Sequence, residues 1–300
     1  RHYSIIYLYD FIKIHYISHM GEKDIAEKTL EAWNDVFADI VNVLLFKGKQ
    51  VVKEDELEAA TPTSAFKAGK KLHQQERDVA KFWKNGEIKI SLLGFENQSI
   101  ADPKMPLRVI SYDGASYKQQ LLDKKLKKNF PVVTLVLYFG EEHWKSAKTL
   151  FDCFDVPEEL KPFANDYKIN VFEIAWLDDE TINSFKSDFK YVAQFFKAKR
   201  LEKIYEPTDA ELKHMDEYFK LLSAVSGDKN FELLYNELKN ETDGGVTMCD
   251  MFQKYKDAGK EELIIKMIES NILSIEQIAE ITKLPVETIK ALSQKVPVLK

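Results

Sequence analysis

Ala26, Leu30, Trp33, Phe37, Ile40, Val41 and Leu44 recur at steps of three and four. That period predicts a helix over 24–46 with one apolar side. Lys47-Gly48-Lys49 closes it, and Gly48 suits a left-handed C-cap. Residues 53–75 are polar, carry Pro62 and Gly69, and read as a loop with short helical pieces. The apolar run from Ile88 predicts a strand, Asp102 to Pro106 a loop, and Arg108 to Leu122 a helix after a short extended start. Pro131 to Phe139 is β-branched and apolar throughout, bounded by Pro131 and Gly140, the pattern of a buried central strand. Lys168 to Leu177 predicts a second such strand, with helix and loop over 144–163 between them. Ser184 to Lys199 predicts an amphipathic helix with Phe185, Phe189, Val192, Phe195 and Phe196 on its apolar side. Strands alternating with helices argue an α/β architecture. Beyond Pro207 the pattern changes to helices over 209–225, 229–239, 247–269 and 274–294, with no strand candidate. The organisation expected is an extension over 1–19, an α/β domain over 20–203, a helical region over 204–270 and a tail over 271–300.

Three hundred residues suffice for one core plus an appendage. With 45% hydrophobic and 31% charged residues, that core needs no disulfide. Cys153 and Cys249 have no CxxC spacing, which fits a reducing cytoplasm and argues against a zinc site. The net charge of −6 does not advertise nucleic-acid binding, but the bases are clumped. Lys67, Lys70 and Lys71 form one clump; Lys118, Lys124, Lys125, Lys127 and Lys128 form another. Each reads as a solvated face or as phosphate contact. The aromatic opening, residues 1–19, contains Asp10, Lys13 and His15, which argues against a membrane-spanning helix, and no secretory cleavage pattern follows. Met20 is the expected start of translation. The histidines form no HxH or HExxH, and the glycines form no phosphate loop, so nucleotide hydrolysis is poorly supported.

Candidate chemistry gathers around Ile88 to Gln98. Glu96 and Gln98 stand two apart, which puts both on one face of a strand, as a solvated strand end or as a site. Asp78 lies upstream among apolar residues, and Asp35 lies on the first helix. Converging carboxylates repel, and a hard cation such as Mg²⁺ removes that cost. Asn85-Gly86 invites a two-residue hairpin turn. In that register Lys84 faces Glu87 and Asp78 faces Leu93, which leaves Glu96 on the opposite sheet face. Either a bulge at Gly94 restores a common face, or Val79 to Trp83 is a short helix and no tight hairpin forms.

The ordered set Asn34-Asp35, Arg77-Asp78-Val79 and Glu96-Asn97-Gln98 resembles the Rpn family of recombination-promoting nucleases, also described as putative transposases. That family belongs to the PD-(D/E)XK superfamily. Met105 to Tyr117, the strand Pro131 to Phe139 and the segment Asn165 to Glu173 extend the resemblance over roughly residues 22–200. The resemblance implies a mixed sheet flanked by helices and a Mg²⁺- or Mn²⁺-dependent DNA endonuclease. Asp78 and Glu96 would hold the metal with the Asn97 carbonyl. Gln98 would orient the attacking water, and Asp35 would assist. Arg108 and Tyr112 would contact the scissile strand or brace the site, with Tyr117, Lys118, Lys124 and Lys125 as further DNA-contact candidates. Gln98 stands where the superfamily has lysine, so slow turnover is expected. The alternative is a catalytically weak nuclease fold that binds DNA or a protein. A second copy of the chain is the other partner considered, and a membrane is not.

Ser274 to Ile289 reads as two short amphipathic helices across a tight turn, opened by a Ser274/Gln277 capping box. It resembles a helix-turn-helix, with Lys283 where a turn glycine is usual and Lys290 as the base on the second helix. DNA contact and a helical hairpin packed on the body or on a partner are both open readings.

Overall fold

The computed structural model describes residues 30–60, 63–68, 71–76, 79–84, 87–93, 101–207, 210–241, 246–270 and 272–294. The described chain divides into two compact units. One contains the residues up to Tyr205 with Lys213–Asp228; the other contains Glu206–Leu212 and the residues from Lys229.

The first unit is built on a five-stranded mixed sheet. Its strands are β1 (Leu57–Ala59), β4 (Val79–Trp83), β5 (Ile88–Leu93), β6 (Val132–Tyr138) and β7 (Asn170–Glu173), side by side in that order. Strands β2 (Thr63–Ala68) and β3 (Lys71–Glu76) form a separate antiparallel pair. β1–β4 and β4–β5 are antiparallel, whereas β5–β6 and β6–β7 are parallel. The parallel steps need crossovers, and α2 (Met105–Leu122) supplies the first.

Helices cover both faces. α1 (Asn34–Phe46) lies on the face that carries Lys81, whose Nζ donates to Ala32 O and Asn34 Oδ1 (2.7 and 2.6 Å). α2 lies on the other face, where Met105, Val109 and Tyr112 pack with Val136, Tyr138 and Trp144. Thr134 donates to Asp113 on the same side, at 2.7 Å. α3 (Asp179–Ser184) and α4 (Phe189–Arg200) follow β7. α4 sets Phe189 and Phe196 against Phe139, with ring centroids 6.4 and 5.0 Å apart.

Several expectations change in detail. The predicted first helix is a one-turn 3-10 segment, Leu30–Ala32, then α1, with Trp33 extended between them; residues 24–29 lie outside the described residues. Its left-handed end begins at Lys47 (φ 53°) rather than at Gly48 (φ 80°) alone. The polar stretch 53–75 is not mainly loop. It holds β1, β2 and most of β3, because the ladder is made by backbone groups that polar residues carry as well as apolar ones. Helix α2 begins at Met105, inside the expected loop, since proline is tolerated in a first helical turn. The second strand is shorter than 168–177, giving way after Glu173 to a 3-10 turn, Ile174–Trp176. The expected helix over 184–199 is interrupted at 185–188. There Asp39 Oδ2 accepts the backbone N–H groups of Lys186 and Ser187 (2.8 and 2.7 Å), tying that turn to α1.

Asn42 shows how a single amide fixes the chain after α1. Its Nδ2 donates to Val52 O (2.8 Å), and its Oδ1 accepts from Val51 N and Val52 N (2.9 and 2.8 Å), the two Val52 bonds buried and the Val51 bond half-buried. Asn42→Ala takes the amide away from the buried Val52 N–H and C=O, whereas Val51 N still has Lys49 O at 2.9 Å, and a loss of about 2–3 kcal/mol is expected in urea unfolding. A loss below about 0.5 kcal/mol would show that water replaces the amide at no cost.

α5 (Met215–Ser226) clusters with the sheet unit, and the second unit holds α6 (Asn230–Glu241), α7 (Met248–Glu269), α8 (Ile275–Thr282) and α9 (Val286–Ser293). Ile264 of α7 packs with Ile278 and Ala279 of α8 and Ile289 and Leu292 of α9. The expected capping box at α8 is present: Ser274 Oγ accepts from Gln277 N, and Gln277 Oε1 accepts from Ser274 N. Lys283 adopts the left-handed conformation (φ 58°) that a turn glycine would take. Glu287, Thr288, Lys290 and Ala291 face outward on α9. No helix among the described residues is long and apolar enough to cross a membrane.

Candidate functional site

The hairpin β4–β5 pairs Val79 with Leu92 and Trp83 with Ile88. This is the register of a two-residue connection at Asn85-Gly86, and Glu87 N donates to Lys84 O at 3.1 Å. Val79 to Trp83 is therefore a strand, and the short-helix alternative is excluded.

The register fixes which segments meet. β4 begins, and β5 ends, at one end of the hairpin. β6 and β7 run parallel to β5, so Tyr138 and Glu173 finish at that same edge of the sheet. α2 returns antiparallel to β5 and starts there. α1 lies along β4: Asn34 meets Lys81, the middle residue of that strand, and donates to Leu57 O opposite Trp83, while Phe46 meets Trp83 itself, centroids 6.3 Å apart. The carboxyl edge of parallel strands is where open α/β sheets collect loops and helix starts, and hence ligands.

Of the residues singled out in the sequence, Asp78, Glu96, Asn97 and Gln98 lie outside the described residues, as does Gly94, where the bulge is expected. Asp35 sits in the first turn of α1. Its Oδ2 receives Lys213 Nζ at 2.8 Å, and both its oxygens lie 3.0 Å from His214 Nε2. His214 is buried, more deeply than a surface or half-buried histidine, and its ring stacks on Trp33 with centroids 4.3 Å apart. Its backbone N–H donates to Asp188 Oδ2 at 2.6 Å. A groove of about 480 Å³ borders this group, lined by Trp33, Lys213, His214, Met215, Asp216 and Glu217. No local pattern announces the pairing, because Asp35 and His214 are 179 positions apart.

Arg108 is braced by Asp102 (3.3 Å) and reaches the Tyr112 hydroxyl at 3.5 Å. Both belong to the first half of α2, towards the edge just described. Tyr112 is buried in the core, while Tyr117 is exposed and its hydroxyl accepts from Val132 N at 3.1 Å. Lys118, Lys124 and Lys125 are exposed at the opposite end of α2. The structure thus sets Arg108 and Tyr112 toward the edge where β5 and β6 end, leaves the lysines at the other, and engages Asp35 separately with Lys213 and His214. Among the described residues, no three His, Cys, Asp or Glu side chains converge as metal ligands.

Two carboxyls in the His214 cluster shift in opposite directions. Burial pushes Asp35 up, but the bonds and charges of Lys213 and His214 outweigh it, so its carboxyl titrates below the ordinary range. Burial dominates at Asp188, whose carboxyl is held above that range despite backbone bonds from His214 and Lys213. Asp35 therefore contributes stability that is present above its unfolded value, about 3.9, and is lost as pH falls through its lower folded value. Asp188 contributes stability that is present below its unfolded value and is lost as pH rises through its higher folded value. Asp35→Asn is expected to flatten the fall in the urea midpoint between about pH 5 and pH 3, and Asp188→Asn to steepen it. Shifts of the same sign would contradict the assignment.

The family model described as "Putative transposase, YhgA-like" matches residues 71–223, more than half of the chain. The protein belongs to that family. The YhgA-like match runs from β3 to α5, so it includes Asp78, Glu96, Gln98, Arg108, Lys213 and His214, and leaves out Asp35. It begins and ends later than the stretch that carries the resemblance in the sequence. No curated protein and no solved structure matches the chain.

Proposed function

We propose that this YhgA-like protein is a divalent-metal-dependent DNA endonuclease of the PD-(D/E)XK type, linked to recombination or mobile elements. The observation that carries the reading is the hairpin β4–β5 followed by α2 and the parallel strand β6, with α1 on the opposite face. A helix, an antiparallel hairpin, a crossover helix and a parallel strand are the parts that such a core requires. In sequence Asp78 immediately precedes β4 and Glu96 follows the end of β5 by three residues, and the head of β4 and the end of β5 share the edge where α2 starts.

Two carboxylates and an amide carbonyl suit a hard cation, so Asp78, Glu96 and Asn97 would hold Mg²⁺ or Mn²⁺. The metal would supply an acidified water and charge stabilisation at phosphorus. Gln98 would orient that water through its amide. Arg108, already braced by Asp102, would meet a phosphate of the bound strand, with Tyr112 behind it. Asp35 would act from α1 while Lys213 and His214 hold it.

Purified protein with supercoiled plasmid and Mg²⁺ is expected to give nicked or linear product, and EDTA should stop it. Asp78→Ala should remove the cleavage while leaving the fold intact. If wild type binds DNA but neither protein cuts it with Mg²⁺ or Mn²⁺, the chain is a binding module on a nuclease fold. Two features favour that second reading: the neutral Gln98 in place of lysine, and the engagement of Asp35 by two basic side chains.

A further inference from the structure

Two exposed segments of the sheet unit mirror each other in charge, and each displays apolar side chains. Residues 118–128, at the end of α2, contain five lysines and one acid. Within them Leu121 and Leu122 are 76% and 71% exposed. Residues 151–166, the excursion between β6 and β7, contain five acids and one lysine, with all six exposed. Within that excursion Phe163, Leu160 and Phe154 are 85%, 55% and 50% exposed. Beside them lies a groove of about 550 Å³ whose lining includes Phe151, Phe154, Val156, Pro157, Asp152 and Asp155.

Large apolar side chains standing singly in water need no explanation, but adjacent ones rimmed by charge of one sign mark contact surfaces. These two segments cannot serve each other within one copy. The excursion is anchored beside the start of α2, where Cys153 Sγ reaches Pro103 O at 3.4 Å. Leu121 and Leu122 end the same helix, and its 18 residues span about 27 Å.

We propose that the protein associates with itself head to tail: Leu121 and Leu122 of one copy seat against the acidic apolar excursion of a second. Lysines around the leucines then face Asp155 and Glu159. Asp152 and Asp166 are already used to shape the excursion, accepting from the backbone N–H groups of Lys148, Thr149 and Phe151. DNA fits this pair of surfaces less well. Phosphate would engage the lysines but leave the leucines in water, and the acidic excursion would repel it. The contact joins two different patches, so it propagates or closes a ring. It does not depend on the nuclease reading.

Sedimentation velocity tests it on the full chain. At low ionic strength the mass should exceed the 34.8 kDa of one copy. It should fall toward one copy as salt shortens the screening length from about 10 Å at 0.1 M to about 3 Å at 1 M. Lys124→Glu with Lys125→Glu should give a single copy, and so should Asp155→Lys with Glu159→Lys. Mixing the two double variants should restore the larger species. A wild type that stays single at low salt, variants that keep their mass, or a mixture that does not assemble would each overturn the proposal. So would a lysine variant that loses DNA binding while its mass is unchanged.

Discussion

Phe37→Ala is expected to destabilise the sheet unit by about 3–5 kcal/mol, the range for deleting a fully buried phenylalanine. Phe37 is completely buried on α1, and Lys81 Nζ lies 5.7 Å from its ring centroid. Truncation removes the ring's transfer free energy and leaves a cavity beneath a buried ammonium. The Lys81 bonds to Ala32 O and Asn34 Oδ1 hold the start of α1 in place, so the helix cannot settle into the void without breaking them. A domain of this kind has about 5–15 kcal/mol in total, so the unit should unfold at a much lower urea concentration. All four tryptophans, Trp33, Trp83, Trp144 and Trp176, belong to this unit, so fluorescence reports it alone. Phe37→Leu should cost less than half as much. An alanine variant within 1 kcal/mol of wild type would mean that α1 is not seated as described.

The same helix shows what sequence makes legible. Its apolar positions repeat at three and four because one side meets the sheet, and Val36, Phe37, Ile40 and Val41 are indeed buried. β6 was equally plain: Val132 and Leu135 to Tyr138 are buried, and only a strand covered on both faces is apolar at consecutive positions. β2 and β3 were missed because Thr, Ser, Lys, His and Gln dominate them. Their register, Ala68 opposite Lys71, leaves two residues between them, Gly69 and Lys70, and that hairpin spacing was the available signal. The break at 185–188 was hidden for a different reason. The acceptor that stops the helix is Asp39, 147 positions away, and no local pattern announces it. The candidate site divides likewise. Asn85-Gly86 foretold the hairpin register from two adjacent residues, whereas the clasp of Asp35 by Lys213 and His214 depends on tertiary packing.

Glu96→Ala is expected to lower metal-dependent DNA cleavage by about two to three orders of magnitude, or roughly 3–4 kcal/mol of barrier. On the proposed reading Asp78 and Glu96 share one cation, and two carboxylates that close together repel unless a cation lies between them. Deleting one relieves the repulsion and removes half the anionic charge that attracts the ion. The variant should therefore lose affinity for metal without losing its fold. Melting temperature separates these effects: Mn²⁺ should raise it for wild type and leave Glu96→Ala unmoved, because only a folded state that binds the ion is stabilised. Gln98→Ala should cost less, since a neutral amide orients water but carries no charge to lose. DNA affinity measured with EDTA present should be equal in wild type and Glu96→Ala, because on the proposed reading bases such as Arg108, not the carboxylates, would meet the phosphates. Equal Mn²⁺ shifts in wild type and Glu96→Ala would place the ion elsewhere, and the edge at the end of β5 would then have no part in binding it.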